Sequence, residues 1–199
     1  MDKMKCAYVF FLSATSTQVL SFEKLDETYQ IQFGSPEAKV HVTEYFSFSC
    51  PKCMKFIRES FSEIEERYTN CGSILWSFHP DPADIITVKA MIYMERMTQP
   101  QKQLFLKTIA EFLNNRTMGQ ADKLMKNIAI ELGIDIQGID SLLEIKETKA
   151  FHAAYDYVKQ EECVSEVPTI EINGSIYNEY PNMTFIEKKL QDHVKKVEV

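Results

Sequence analysis

Apolar residues along this chain follow two different periods, and the changes between them separate strand-forming from helix-forming regions. Alternating or continuous β-branched and aromatic runs predict three strands, at Thr28–Phe33, Val40–Phe48 and Ile74–Phe78. Between the second and third strands, apolar positions from Phe56 to Tyr68 recur at helical spacing. This order predicts a strand–helix–strand unit, whose two strands run parallel with a right-handed crossover.

From Asp81 the helical period continues for about sixty residues before the strand period returns. Five helices are predicted. Three have both ends or their range marked by the apolar pattern: Asp84–Met97, Gln101–Asn114 and Thr148–Gln160. Of the other two, one is capped by Thr117 and Gln120 and ended by Gly133, and one begins at Ser141. Val167–Ile172 and Ser175–Tyr177 predict two strands joined by a hairpin turn at Asn173-Gly174, and Thr184–Lys195 predicts a closing helix.

These elements predict an α/β fold with a small mixed sheet, flanked by helices and carrying an all-helical insertion. The sheet domain is expected to comprise residues 22–80 and 147–199, and the insertion residues 81–146. A length of 199 residues suits one domain with such an insertion. The net charge of −7 disfavours nucleic-acid binding, which depends on neutralising phosphates.

Residues 1–21 have the layout of a secretory signal segment. Lys3 and Lys5 precede the apolar run Cys6–Leu12, and small residues follow it. Cleavage after Ser16 or Ser21 would remove Cys6. The alternative interpretation is a buried first strand of the domain, which would leave room for a cytoplasmic protein.

Cys50 and Cys53 carry the most specific chemistry in the sequence, because they lie where a strand meets a helix. The helix N-terminus favours the thiolate form of the first cysteine, and Lys52 adds a nearby cation. Pro51 fits the first helical turn, where a missing N–H costs nothing. Cys50 is therefore the expected nucleophile, and Cys53 the cysteine that resolves a mixed disulfide.

A CxxC pair also allows a zinc site or a structural disulfide. Zinc normally takes four protein ligands in structural sites, and the four histidines stand at no ligand spacing. We therefore predict no metal site and no cofactor other than a redox-active Cys50–Cys53 disulfide.

The stretch from His41 to Cys53 (HVTEYFSFSCPKC) resembles the active site of DsbA-like thiol-disulfide oxidoreductases, and Val167-Pro168-Thr169 resembles their cis-proline loop. The resemblance implies a thioredoxin-like fold with a helical insertion. It also implies a cis Pro168 packed against the CxxC, with Val167 touching the substrate chain. The archetype has His where this chain has Lys52.

Glu44 lies six residues before Cys50 in an otherwise apolar strand. A buried carboxylate there would raise the pKa of a cysteine or relay a proton to Cys53. The alternative is a strand-end Glu that reaches solvent or pairs with a lysine.

Cys71 and Cys163 are the two remaining cysteines of a chain cleaved after its signal segment. The inferred topology places Cys71 at the end of the sheet away from the CxxC and Cys163 near the active-site end. We expect both to be free and partly buried, since bridged Cα atoms must lie within about 7 Å.

The sequence favours a monomeric, exported periplasmic oxidase that donates its disulfide to reduced or misoxidised substrate proteins. By resemblance, a quinone-linked membrane partner would reoxidise it. A reductase or isomerase with the same residues is the near alternative. A thioredoxin-fold module that binds a peptide or a metal without catalysis is the distant one.

Overall fold

A five-stranded mixed sheet organises the chain in the order β1-β3-β2-β4-β5. The strands are β1 Ile31–Gly34, β2 Val40–Phe46, β3 Ile74–Pro80, β4 Thr169–Ile172 and β5 Ser175–Tyr177. The central pair β2/β3 is parallel, with Val40 opposite Ile74 and Phe46 opposite Pro80, whereas the other three pairs are antiparallel. The predicted strand–helix–strand unit and hairpin are both present.

The computed structural model describes residues 25–113, 118–137, 142–160, 164–178 and 180–197. The expected signal segment and Cys6, Asn114, Thr117, Ser141 and Cys163 lie outside these ranges. The helices are α1 Pro51–Glu59, α2 Phe61–Ile64, α3 Ile85–Met94, α4 Gln99–Phe112, α5 Met118–Glu131, α6 Leu142–Lys146, α7 Lys149–Val158 and α8 Met183–Val197. No helix in the described ranges is long and apolar enough to cross a membrane.

Most predicted elements differ from the structure by a few residues at their ends, as where the strand predicted to Phe48 ends at Phe46. Two differ more, for local reasons. The first strand begins at Ile31, because Asp26 accepts a hydrogen bond from the Thr28 N–H and starts a short 3-10 helix at Glu27–Tyr29. The helix predicted as far as Tyr68 is interrupted at Ser60 and ends in a π-helical turn, Glu65–Thr69. Apolar spacing alone does not reveal a break in a helix when the residues on both sides of the break bury the same helix face.

The sheet face beneath α1 forms an aromatic core. Trp76 stacks on Phe56 at a centroid distance of 5.8 Å, and Phe61 meets both Trp76 and Phe78. Strand alternation directs Val42, Glu44 and Phe46 of β2 to one face, so a carboxylate enters an apolar layer. This placement is the structural basis of the Glu44 chemistry below.

The β4–β5 hairpin closes in two residues with left-handed backbone, Asn173 at φ 46° and Gly174 at φ 81°. Asn and Gly tolerate this conformation better than other residues, and it matches the twist of the paired strands. Since β4 pairs with β2, the residues that precede β4 come close to the end of β2, where the CxxC begins.

The helix α4 covers the outer edge of β1. The Gln99 side chain accepts from the Gln32 N–H and donates to the Gln30 carbonyl, and the Gln103 side chain donates to the Gln32 carbonyl. These side chains occupy backbone groups that an edge strand otherwise leaves unpaired.

Candidate active site

Cys50 and Cys53 lie at the N-terminus of α1, which a short turn, residues 47–49, connects to the carboxyl end of β2. Cys50 is the N-cap residue, and its backbone is extended (φ −81°, ψ 112°). Pro51 opens the helix, where no intrahelical N–H donor is required. The Cys53 N–H donates to Cys50 Sγ at 3.3 Å, which places the first sulfur at the positive end of the helix.

The environment of Cys50 stabilises its thiolate. The largest effect that lowers the pKa of Cys50 is hydrogen bonding from the Cys53 side chain. The backbone N–H groups of Cys53 and Lys52 and the Lys52 charge also lower it, whereas partial burial raises it. Together they lower the pKa of Cys50 from its ordinary 9.0 to about 6. Cys50 is half-buried, so a thiolate there remains accessible to another molecule.

Cys53 has the opposite environment, because it is fully buried. Burial raises the pKa of its thiol far above the ordinary value, and the hydrogen bond to Cys50 and the nearby Glu44 and Cys50 charges raise it further. The two sulfurs are therefore chemically distinct. Cys50 can exist as a thiolate at neutral pH, whereas Cys53 holds its proton.

The loop before β4 faces Cys50. The Val167–Pro168 peptide bond is cis, and Pro168 is buried. The Val167 carbonyl lies 3.8 Å from Cys50 Sγ and accepts a hydrogen bond from the thiol. The fold thus brings the CxxC and the Val167-Pro168 loop together from sequence positions more than a hundred residues apart.

Glu44 lies beneath the cysteines with no exposed surface. Neither of its carboxyl oxygens has a hydrogen-bond partner, and its strand neighbours are Phe78 and Ile170. Burial raises the pKa of Glu44 well above 4.5, the Cys50 charge raises it further, and the Trp76 indole opposes them. Glu44 is therefore a buried acid whose environment favours the protonated form, rather than a solvent-exposed or lysine-paired one.

A family model described as Thioredoxin matches residues 26–192, which include every residue of this site. The chain belongs to the thioredoxin family. No curated protein sequence matches it.

Solved structures place this thioredoxin-family chain among proteins with a DsbA-like fold. BdbD from Bacillus subtilis superimposes with a TM-score of 0.65 at 16% identity, over 87% of this chain and 97% of that one. Wolbachia pipientis alpha-DsbA1 gives 0.64 at 20% identity, over 84% and 92%. Chlamydia trachomatis DsbA gives 0.60 at 16%, over 89% and 95%. At these identities the likeness establishes the fold.

Cys71 of this thioredoxin-family chain lies at the far end of the sheet, as its position before β3 predicts. It is a free thiol, but the expectation that it is partly buried is wrong, because its side chain is exposed. It follows the π-helical turn, and its sulfur hydrogen-bonds Ser73 Oγ at 2.8 Å on the surface. Among the residues that the structure describes, no three His, Cys, Asp or Glu side chains form a metal site.

Sequence reasoning missed a second set of polar residues beside the CxxC of this thioredoxin-family chain. Ser47, Asp84 and Thr87 join the loop before Cys50 to the first turn of α3. The sequence does mark Asp84 as the start of a helix. Its contact with residues about forty positions earlier could not be recognised without the fold.

Proposed function

We propose that the protein is a thiol-disulfide oxidoreductase that acts as an oxidase, donating its Cys50–Cys53 disulfide to other proteins. The observation that carries this proposal is the position of Cys50 Sγ at the helix N-cap, with a pKa of about 6. A dithiol that readily becomes a thiolate has a stabilised reduced form, and its disulfide is correspondingly oxidising.

The first step is attack of a substrate thiolate on Cys50 Sγ of the disulfide. A mixed disulfide forms between Cys50 and the substrate, the Cys50–Cys53 bond breaks, and its electron pair stays on Cys53 Sγ. Attack at Cys50 rather than Cys53 is favoured because Cys53 has no exposed surface.

The departing Cys53 sulfur needs a proton, because its thiol has a strongly raised pKa. Glu44 is buried, its environment favours the protonated form, and it lies close enough to Cys53 for its charge, when ionised, to raise the pKa of that thiol. Glu44 thus supplies that proton and later recovers one from solvent. A second substrate thiolate then attacks the substrate sulfur of the mixed disulfide. The substrate becomes oxidised, and Cys50 leaves as a thiolate held by the Cys53 N–H.

The Val167-Pro168 loop is the docking site for the substrate segment in this mechanism. Its carbonyl faces Cys50 Sγ and precedes β4, so an extended peptide lying beside it would place a cysteine against Cys50. Backbone pairing of this kind accepts many sequences, because its hydrogen bonds do not depend on the side chains.

The pKa of Cys50 also bears on whether the protein oxidises or reduces its substrates. A value of about 6 lies between about 7 for thioredoxin, a reductant, and about 3.5 for DsbA, an oxidant. We expect a reduction potential between the corresponding values of about −270 and −120 mV. A measured potential of about −270 mV would favour the reductase alternative. An intermediate potential combined with activity in shuffling wrong disulfides would favour the isomerase alternative.

The proposed oxidase is a monomer that acts outside the cytoplasm. Its substrates there are newly exported proteins. A quinone-linked membrane protein is the proposed reoxidant. The superimposable structures include proteins named BdbD and DsbA, and this likeness of fold is the support for the proposed oxidase.

Equilibration of the full chain with mixtures of reduced and oxidised glutathione tests the proposal. The experiment uses a Cys71→Ser background, because that exposed thiol would otherwise react with glutathione. We expect oxidation of a reduced, unfolded substrate protein and a potential above that of thioredoxin. Cys53→Ser should accumulate a mixed disulfide at Cys50, whereas Cys50→Ser should accumulate none. Negligible exchange by the wild type would favour the non-catalytic binding module.

A further inference from the structure

The segment between β2 and α1 is held by side chains of α3. Its backbone turns sharply, with the Cys50 N–H donating to the Ser47 carbonyl at 3.1 Å. The Ser47 hydroxyl donates to Asp84 Oδ2 at 2.7 Å and accepts from the Ser49 N–H at 3.0 Å. The turn that delivers Cys50 to the helix N-cap is therefore attached to a residue in another part of the chain.

Thr87 completes this attachment. Its hydroxyl accepts from the Phe48 N–H at 3.0 Å, donates to Asp84 Oδ2 at 2.8 Å, and lies 3.1 Å from the Ser47 hydroxyl. Thr87 has no exposed surface, so water cannot replace the hydroxyl as the partner of that N–H.

Asp84 fixes the orientation of Thr87. It is the N-cap of α3, where its Oδ1 accepts from the Thr87 N–H at 3.0 Å and its Oδ2 receives the two hydroxyls. One carboxylate thus sets both the start of α3 and the direction of the Thr87 O–H bond. A charged acceptor strengthens such bonds.

We propose that Thr87, oriented by Asp84, is a positioning residue of the active site. It holds the segment from Ser47 to Ser49 so that Cys50 Sγ stays on the Cys53 N–H, and it thereby sets how readily the Cys50–Cys53 disulfide is reduced. This inference rests on the proposed function, since it concerns the poise of the same disulfide.

The physical reason is the short reach of the contacts that stabilise the Cys50 thiolate. Its hydrogen bond to the Cys53 N–H is 3.3 Å long, and hydrogen bonds weaken steeply with distance and misalignment. When the Phe48 N–H loses its partner, the segment must shift to find water. Cys50 is joined to that segment by its own backbone bond to Ser47.

The test compares Thr87→Val, which keeps the shape and removes the hydroxyl, with Thr87→Ser, which keeps the hydroxyl. The measurements are the Cys50 titration, followed by thiolate absorbance, and the equilibrium with glutathione, in which two glutathione thiols reduce the disulfide to the dithiol. We expect Thr87→Val to raise the pKa of Cys50 by about one unit. At pH 7 the disulfide would then be about fivefold harder to reduce. Thr87→Ser should match the wild type in both measurements.

Thr69→Val is the matched control, because Thr69 is equally buried and its hydroxyl bonds only the Glu65 carbonyl, at the other end of the sheet. It should lower stability without moving the Cys50 pKa. If Thr87→Val does not fold, Ser47→Ala is measured in its place, with the same expected shifts. The proposal is overturned by a folded Thr87→Val or Ser47→Ala protein with wild-type values, or by equal shifts in Thr87→Ser or Thr69→Val. Wild-type exchange activity in the same assay separates these outcomes from failure of the proposed function.

Discussion

The backbone N–H of Cys53 points at the sulfur of Cys50 from 3.3 Å, so the second cysteine stabilises the first while keeping its own proton. This asymmetry depends on burial as much as on the helix. Cys50 is half-buried at the N-cap, and Cys53 is fully buried one turn later. One cysteine is suited to accept attack, and the other to resolve the intermediate.

The stability of the reduced protein should therefore rise with pH across a defined window. The pKa of Cys50 is lowered from 9.0 unfolded to about 6 folded, so between those values the unfolded chain binds a proton that the folded protein has released. This contribution is complete above about pH 9 and is lost as the pH falls through 6. Denaturant unfolding of reduced wild type and Cys50→Ser at pH 5, 7 and 8.5 measures it. A difference between the two proteins that does not change with pH would contradict the lowered pKa.

Lys52 should contribute less to the thiolate than the backbone does. Its side chain is exposed, and exposed charge pairs are worth about 0–1 kcal/mol. We expect Lys52→Met to raise the pKa of Cys50 by less than about half a unit, measured by the pH dependence of alkylation. Lys55→Met, one turn further along α1 and also exposed, is the control and should have no effect. A rise of a full unit in Lys52→Met would show that the lysine, rather than the N–H groups, holds the thiolate.

Glu44→Gln should slow disulfide exchange, because it removes the buried proton donor next to Cys53. Single-turnover oxidation of a cysteine-containing peptide should slow on the order of 10²-fold. The control is Glu171→Gln, which changes a buried carboxylate that accepts from Tyr45 on the other sheet face. That variant should lose stability but not exchange rate. An unchanged rate together with an unchanged Cys50 titration in Glu44→Gln would reject a role for this acid.

The same Glu44→Gln substitution predicts a pH-dependent gain in stability. The folded pKa of Glu44 lies well above 4.5, so the folded protein binds a proton that the unfolded chain has released above that pH. Wild type should therefore lose stability relative to Glu44→Gln as the pH rises from 4.5 toward the folded pKa. Trp76 is the single tryptophan of the chain and lies near Glu44 on the same face of the sheet, so its fluorescence should follow the ionisation in wild type alone.

The sheet, the hairpin and the CxxC were predictable because local sequence specifies each of them. The Asn173-Gly174 turn, the alternation of β4 and the apolar run of β2 each predict their element from a few residues. Cys50 and Cys53 were recognisable by the same criterion, since a strand, two cysteines and a helix follow one another directly.

The polar contacts around the site were not predictable, because they join distant parts of the chain. In the sequence, Thr87 is simply one polar residue in an apolar helix. Only the fold brings its hydroxyl to the Phe48 N–H. The burial of Glu44 was one of two open alternatives. Strand alternation indicates that its neighbours are apolar, but it does not show that helix α1 closes over them.

The amide side chain of Gln99 substitutes for a neighbouring strand, and its removal should weaken the edge of the sheet. It accepts from the Gln32 N–H and donates to the Gln30 carbonyl, each at 3.1 Å, which is the pair of bonds that a strand would make. Gln99→Ala leaves two partly buried backbone groups without these partners, so we expect a loss of about 1–2 kcal/mol in the free energy of unfolding. Gln191→Ala, an exposed glutamine in α8, should change it by less than about 0.5 kcal/mol. Equilibrium urea unfolding measures both variants, and size-exclusion chromatography reports whether the uncovered β1 edge pairs with a second copy. Equal stabilities in the two variants, with no association, would mean that the Gln99 contacts do not stabilise the β1 edge.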